Sequence, residues 1–123
     1  LWNFNLGREY TKFLPELKEK LEPPVGNIIK QVWILGGEPL LQYPPELERL
    51  LRFIKENSDK EIVLFTRFDE DYFPDVLYEL CDYIKCGKYD ESQSIDDYEM
   101  YGITLATANQ YVIKVSEKHE TGN

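Results

Sequence analysis

The sequence predicts an α/β fold with a parallel-sheet βαβαβ core and helices packed outside it. Two short apolar runs rich in β-forming residues, Gln31-Val32-Trp33-Ile34-Leu35 and Ile62-Val63-Leu64-Phe65, read as buried strands. Amphipathic helical patterns precede, separate and follow them. Strands separated by single helices pair in parallel, because the chain returns across the sheet each time. The length of 123 residues suits one domain with one modest core.

Tyr10, Phe13, Leu14, Leu17 and Leu21 recur at helical spacing, opposite Lys12, Glu16, Lys18, Glu19 and Lys20. Pro23, Pro24 and Gly26 stop this first helix. The strand at 31–35 follows and is bounded by Gly36 and Gly37. Pro44-Pro45-Glu46 then opens a helix, with prolines at the first turn and an acid beside the positive end of the dipole. Its buried stripe is Leu47, Leu50, Leu51 and Ile54, and Asn57-Ser58 ends it. The second strand stops at Thr66-Arg67. Phe73, Val76, Leu77 and Leu80 mark a third helix, and Tyr83-Ile84-Lys85 a third, short strand.

Beyond it, Asp90 to Tyr101 is polar and acidic and reads as a solvated connection, a plain surface loop or a lid. Residues 103–107 and 111–115 flank Ala108-Asn109-Gln110 and read as extended chain or a late hairpin. The domain runs over residues 1–115, and 116–123 is a polar tail holding the single histidine, His119.

Composition removes several functions. Acidic residues outnumber basic ones, 23 to 14, for a net charge of −9, and no basic cluster exists to displace counterions from nucleic acid. No apolar run approaches the ~20 residues of a membrane span, and no secretory signal opens the chain. Cys81 and Cys86 form no disulfide framework; they read as small buried side chains in a cytoplasmic protein. The chain starts at Leu1 rather than Met, so we expect a segment upstream of it.

Ligands of parallel α/β folds sit at the carboxyl ends of the strands. Two loops qualify, Gly36-Gly37-Glu38-Pro39 and the one opened by Thr66. Paired glycines let the backbone turn sharply and leave its carbonyls uncovered, Glu38 adds a carboxylate, and Pro39 stiffens the exit. That acceptor-rich rim suits a protonated amine, although the same residues also serve as a plain turn. A phosphate cradle would need a helix-start spacing and a lysine that are not there.

A strand followed by Gly-Gly-Glu-Pro resembles the radical S-adenosylmethionine enzymes, in which this motif holds the amino group of the cofactor's methionine moiety. Three blocks resemble one branch, the activating proteins of the anaerobic (class III) ribonucleotide reductases: residues 32–40, residues 81–90, and residues 101–110 with Asn109-Gln110. The resemblance implies a partial (β/α)6 TIM-like barrel, of which this chain is a fragment. It also implies S-adenosylmethionine and a 4Fe-4S cluster as cofactors of the full-length parent, and the large subunit of the anaerobic reductase as partner. The activity implied is reductive cleavage of S-adenosylmethionine to place a glycyl radical on that subunit. Cofactor contacts carry over to Gly36, Gly37, Glu38, Pro39, Thr66 and, in the last block, Asn109.

The chain departs from that pattern in two places. The family's Cys-x3-Cys-x2-Cys triplet is absent, so no cluster is expected in this chain, whose first strand and cluster loop are taken as missing. An exposed barrel edge, open to self-association, would follow. Arg67 stands where relatives carry glycine after the threonine. Two alternatives remain open, another small radical S-adenosylmethionine enzyme like 7-carboxy-7-deazaguanine synthase, or a non-catalytic remnant that serves as an interaction domain.

Overall fold

A computed structural model describes residues 2–5, 18–19, 30–35 and 44–117. The chain folds into a mixed α/β structure around a five-stranded sheet. Its strands are β1 (Trp2–Asn5), β2 (Gln31–Leu35), β3 (Glu61–Phe65), β4 (Tyr83–Cys86) and β7 (Tyr111–Lys114), side by side in that order. The first four are mutually parallel, and β7 joins β4 antiparallel. Helix α1 (Pro44–Asn57) connects β2 to β3, and α2 (Asp75–Leu80) connects β3 to β4. Strands β5 (Ser94–Met100) and β6 (Ile103–Thr107) form a separate antiparallel pair.

Strand alternation divides the sheet into two faces. Val32 and Ile34 of β2, Ile62 and Leu64 of β3, and Ile84 and Cys86 of β4 share one core with the helices. Leu47, Leu50, Leu51 and Ile54 enter it from α1, Leu77 and Leu80 from α2, each 7% exposed or less. Both helices therefore lie on one face, so these strands are wound to one side only. A fully buried aliphatic side chain contributes roughly 1.5–3 kcal/mol, so this stripe dominates the stability. Val63 and Val112 point the other way and meet Ile103 and Leu105 of the β5–β6 pair, with Trp33, Phe65 and Tyr83 at the margin. Cover on both faces explains why Ile62, Val63 and Leu64 are all fully buried.

The ends of α1 follow from its sequence. The Asn57 side-chain amide donates to the Phe53 carbonyl at 2.8 Å, and the Ser58 hydroxyl to the Ile54 carbonyl at 2.8 Å. These take acceptors that the last helical turn leaves without partners. Asp82 ties the layers together below the sheet. Its Oδ2 accepts from Lys55 Nζ at 2.6 Å and from the Ile62 N–H at 2.8 Å.

Several expectations change. Trp2–Asn5 is a strand, parallel to β2 and paired from Trp2–Val32 to Asn5–Leu35, where no strand was assigned. Asp90 to Tyr101 is not a loop. It holds a 3-10 turn (Glu91–Gln93) and then β5, a strand whose acids face solvent while Tyr98 and Met100 turn toward the second core. Residues 103–107 and 111–115 do not pair with each other. β6 pairs back on β5 through Tyr101 and Gly102, whose φ values of 52° and 81° make a two-residue turn with both residues left-handed. β7 instead crosses to β4. Phe73 precedes α2 in extended backbone, beyond a 3-10 turn (Glu70–Tyr72), because Pro74 fixes the helix entry. Of the first predicted helix, Lys18 and Glu19 are helical and exposed; its remainder lies outside the described residues. No described helix is long and apolar enough to cross a membrane.

Candidate functional site

The parallel strands β2, β3 and β4 end together at Leu35, Phe65 and Cys86. Gly36, Gly37, Glu38 and Pro39 follow Leu35 in sequence and lie outside the described residues. The two other predicted site residues are described, and they flank the end of β4. Thr66 directly follows β3 and is 7% exposed. Its N–H donates to the Lys85 carbonyl at 2.9 Å, extending the β3–β4 ladder by one rung. Its hydroxyl accepts from the Phe68 N–H at 3.1 Å, which turns the chain away from the sheet. Arg67 points outward, its guanidinium 5.6 Å from the Phe68 ring centre.

Asn109 sits on the other side, in the corner between β6 and β7. Its Oδ1 accepts from the Thr107 hydroxyl at 2.6 Å, and its Nδ2 donates to the Lys88 carbonyl at 2.9 Å. Both ends of the amide are thus engaged within the protein. Gln110, 4% exposed, was read only as part of a motif, yet it does more of the stitching. Its Oε1 accepts from the Ala106 and Thr107 N–H groups at 3.0 and 3.2 Å, and its Nε2 donates to the Gly87 carbonyl at 3.2 Å. Gly87 itself has φ +100°, and a Cβ there would lie 3.1 Å from the Gln110 Cα and 3.2 Å from the Asn109 carbonyl oxygen. The Cys86-Gly87-Lys88 and Asn109-Gln110 blocks are therefore two halves of one side-chain-sealed corner at the carboxyl edge.

Lys85 was read only as a strand residue. It stands half-buried beside Thr66 on the face away from the helices, its Nζ 5.4 Å from the Phe65 ring centre. A charge inside an otherwise apolar strand was the available signal. Burial holds its pKa below the ordinary lysine value.

A depression of about 860 Å³ opens at the opposite, amino edge of the sheet, among Glu61, Asp75, Glu79, Asp82 and Tyr83. Its size does not make it the site. Three of its four carboxylates serve the scaffold: Asp82 with Lys55, Glu79 with Arg52 at 3.2 Å, and Glu61 with the Gln31 amide at 3.1 Å.

A family model described as a 4Fe-4S single cluster domain matches residues 1–113. The chain belongs to the 4Fe-4S single cluster domain family. No curated protein and no solved structure matches it. Family membership raises the question of ligands. Such clusters are held by cysteine thiolates, and this 4Fe-4S family member has two cysteines. Cys81 is 4% exposed and Cys86 is 0% exposed, and both pack in the helix-side core. They bracket β4 end to end, roughly 15 Å apart for extended chain. Burial drives the Cys81 thiol far up and pushes Cys86 up to about 12. Both sulfurs are packed among apolar side chains, so neither can meet an iron without opening the core. Among the described residues no three His, Cys, Asp or Glu side chains gather as a metal site. The described residues do not fit the cluster.

Proposed function

We propose that this chain is the S-adenosylmethionine-binding body of a radical S-adenosylmethionine enzyme similar to the activating proteins of anaerobic ribonucleotide reductases. One observation carries the reading. In a chain of the 4Fe-4S single cluster family, Gly36-Gly37-Glu38-Pro39 directly follows a central parallel strand at its carboxyl end. The one-sided winding of β2, β3 and β4 supports a barrel-type rather than a doubly wound sheet, since doubly wound sheets carry helices on both faces.

In this reading Glu38 and the glycine carbonyls accept hydrogen bonds from the ligand's ammonium. Thr66 borders the same edge, and the Asn109–Gln110 corner keeps its far side rigid. Bound S-adenosylmethionine would supply the 5′-deoxyadenosyl group. The iron chemistry does not run through Cys81 or Cys86. The large subunit of the anaerobic reductase is the proposed recipient of the glycyl radical.

The test is anaerobic reconstitution with iron and sulfide of this chain, alone and extended through the upstream reading frame, assayed for 5′-deoxyadenosine. The reading expects product from the extended form only. Glu38→Ala in that form should weaken S-adenosylmethionine binding by roughly tenfold or more, the worth of one charge-assisted hydrogen bond. If neither form makes product, the motif marks ancestry. The second reading, a non-catalytic interaction domain, then takes over; the burial of both thiols is the observation that favours it.

A further inference from the structure

At the carboxyl edge of the sheet Lys85 carries an ammonium with no carboxylate partner among the described residues. Ile84 and Cys86, on either side of Lys85, face the helices. Alternation sends Lys85 to the opposite face, where it lies over the Phe65 ring. Phe65 in turn meets Trp33 with ring centres 5.0 Å apart and planes 39° from parallel. The Trp33 indole N–H is anchored, donating to the Gln31 side chain at 2.9 Å.

The other half-buried lysines among the described residues all have carboxylate partners. Lys55 reaches Asp82 at 2.6 Å, Lys60 reaches Asp59 at 3.5 Å, and Lys114 reaches Glu117 at 3.9 Å. Lys85 has no such pair among the described residues. Acids are not scarce in a chain with 23 of them, so the vacancy is local. Partial burial of an unpaired ammonium is unfavourable, and the ring face offsets only part of that cost. Phe65 and Lys85 are register partners and the last such pair of β3 and β4, one residue short of Thr66. They lie farther toward the carboxyl edge than Val63, which the β5–β6 pair covers completely.

We propose that Lys85, lying over Phe65 with Trp33 packed against that ring, is a subsite for an organic anion, a carboxylate or phosphate carried on a flat ring. The charge would hold the anionic group and the two rings the body that bears it. A bland account competes with this one. A lysine stem can simply lie along an aromatic ring with its ammonium reaching water.

The two accounts separate in a titration of the folded chain with benzoate, phenyl phosphate and the neutral control benzamide. The readouts are the backbone amide signals of Phe65 and Lys85, the Trp33 indole signal, and the Lys85 ammonium signal, which needs no variant. We expect at least one anion to move all four, with benzamide weaker by about tenfold or more. Lys85→Met keeps the stem over the ring and should lose a similar factor for the anions while leaving benzamide unchanged. Lys85→Arg should retain anion binding. Preference for phenyl phosphate over benzoate identifies a phosphate site, and the reverse a carboxylate site. Equal binding of benzamide and benzoate would overturn the proposal. So would undiminished anion binding by Lys85→Met in a chain with unchanged circular dichroism, or an unmoved ammonium signal. No probe contains adenosine or a sulfonium, so the result stands apart from the S-adenosylmethionine reading.

Discussion

At the scale of single residues, the corner formed by Gly87, Asn109 and Gln110 is where small changes should be felt most. Gly87→Ala meets two obstacles together, a left-handed φ of +100° and backbone atoms 3.1 and 3.2 Å from the new methyl. We expect a loss of about 1–3 kcal/mol, read from the midpoint of urea unfolding. Gln110→Ala should cost a similar amount, about 1–3 kcal/mol, because it strands the Ala106 and Thr107 N–H groups and the Gly87 carbonyl. The thiols make a prediction about pH. Burial raises the Cys86 pKa to about 12, and an unfolded cysteine titrates near 8.5. The folded state thus binds the proton more tightly. Its contribution is complete below about pH 8.5 and is lost as pH rises toward 12. Unfolding titrations from pH 7 to 11 should show falling stability, less steep in Cys86→Ala. A flat difference between the two proteins would contradict the burial argument.

At the scale of elements, Asp82 joins α1, β3 and β4 through one carboxylate. Asp82→Ala removes the acceptor of both Lys55 Nζ and the Ile62 N–H. A loss of about 1–2 kcal/mol is expected, toward the low end because the pair is partly wet, and thermal unfolding would measure it. Elements with a strong apolar period were legible in advance: β2, α1, β3 and β4 stand where Val32, Leu50, Ile62 and Ile84 suggested. β1 and β5 were not: four residues of β1 are too few to show a period, and β5 is held by the β6 ladder more than by its own apolar side chains. Ser94, Asp96, Asp97 and Glu99 are exposed, and nothing in their identities announces a strand. The pairing of β6 went astray because Ala108-Asn109-Gln110 looks like a turn between strands. It is a turn, but one between two sheets. In the site, the end of β3 located Thr66. Lys85 and the cross-sheet half of the Gln110 bonding depend on partners 20 or more residues away, Phe65 and Gly87, which no local pattern reveals.

At the scale of the whole molecule, family and ligands point apart. The 4Fe-4S match extends over residues 1–113, while both thiols are spent on the core. Anaerobic incubation of this chain with ferrous iron and sulfide should therefore yield no stoichiometric cluster, and iron analysis should not distinguish it from the Cys81→Ala/Cys86→Ala double variant. Iron bound by the first and lost from the second would reverse that conclusion. The antiparallel seat of β7 beside β4 has a different consequence, one of timing. During synthesis β1 to β4 emerge in the order in which they pair, but the β5–β6 pair emerges before β7. The open edge of β4 must wait through that interval without its neighbour. A nascent chain halted before Tyr111 would leave the ribosome with β4 unpaired on that side, so β7 acts as the latch that covers this central strand and leaves only its own short edge open.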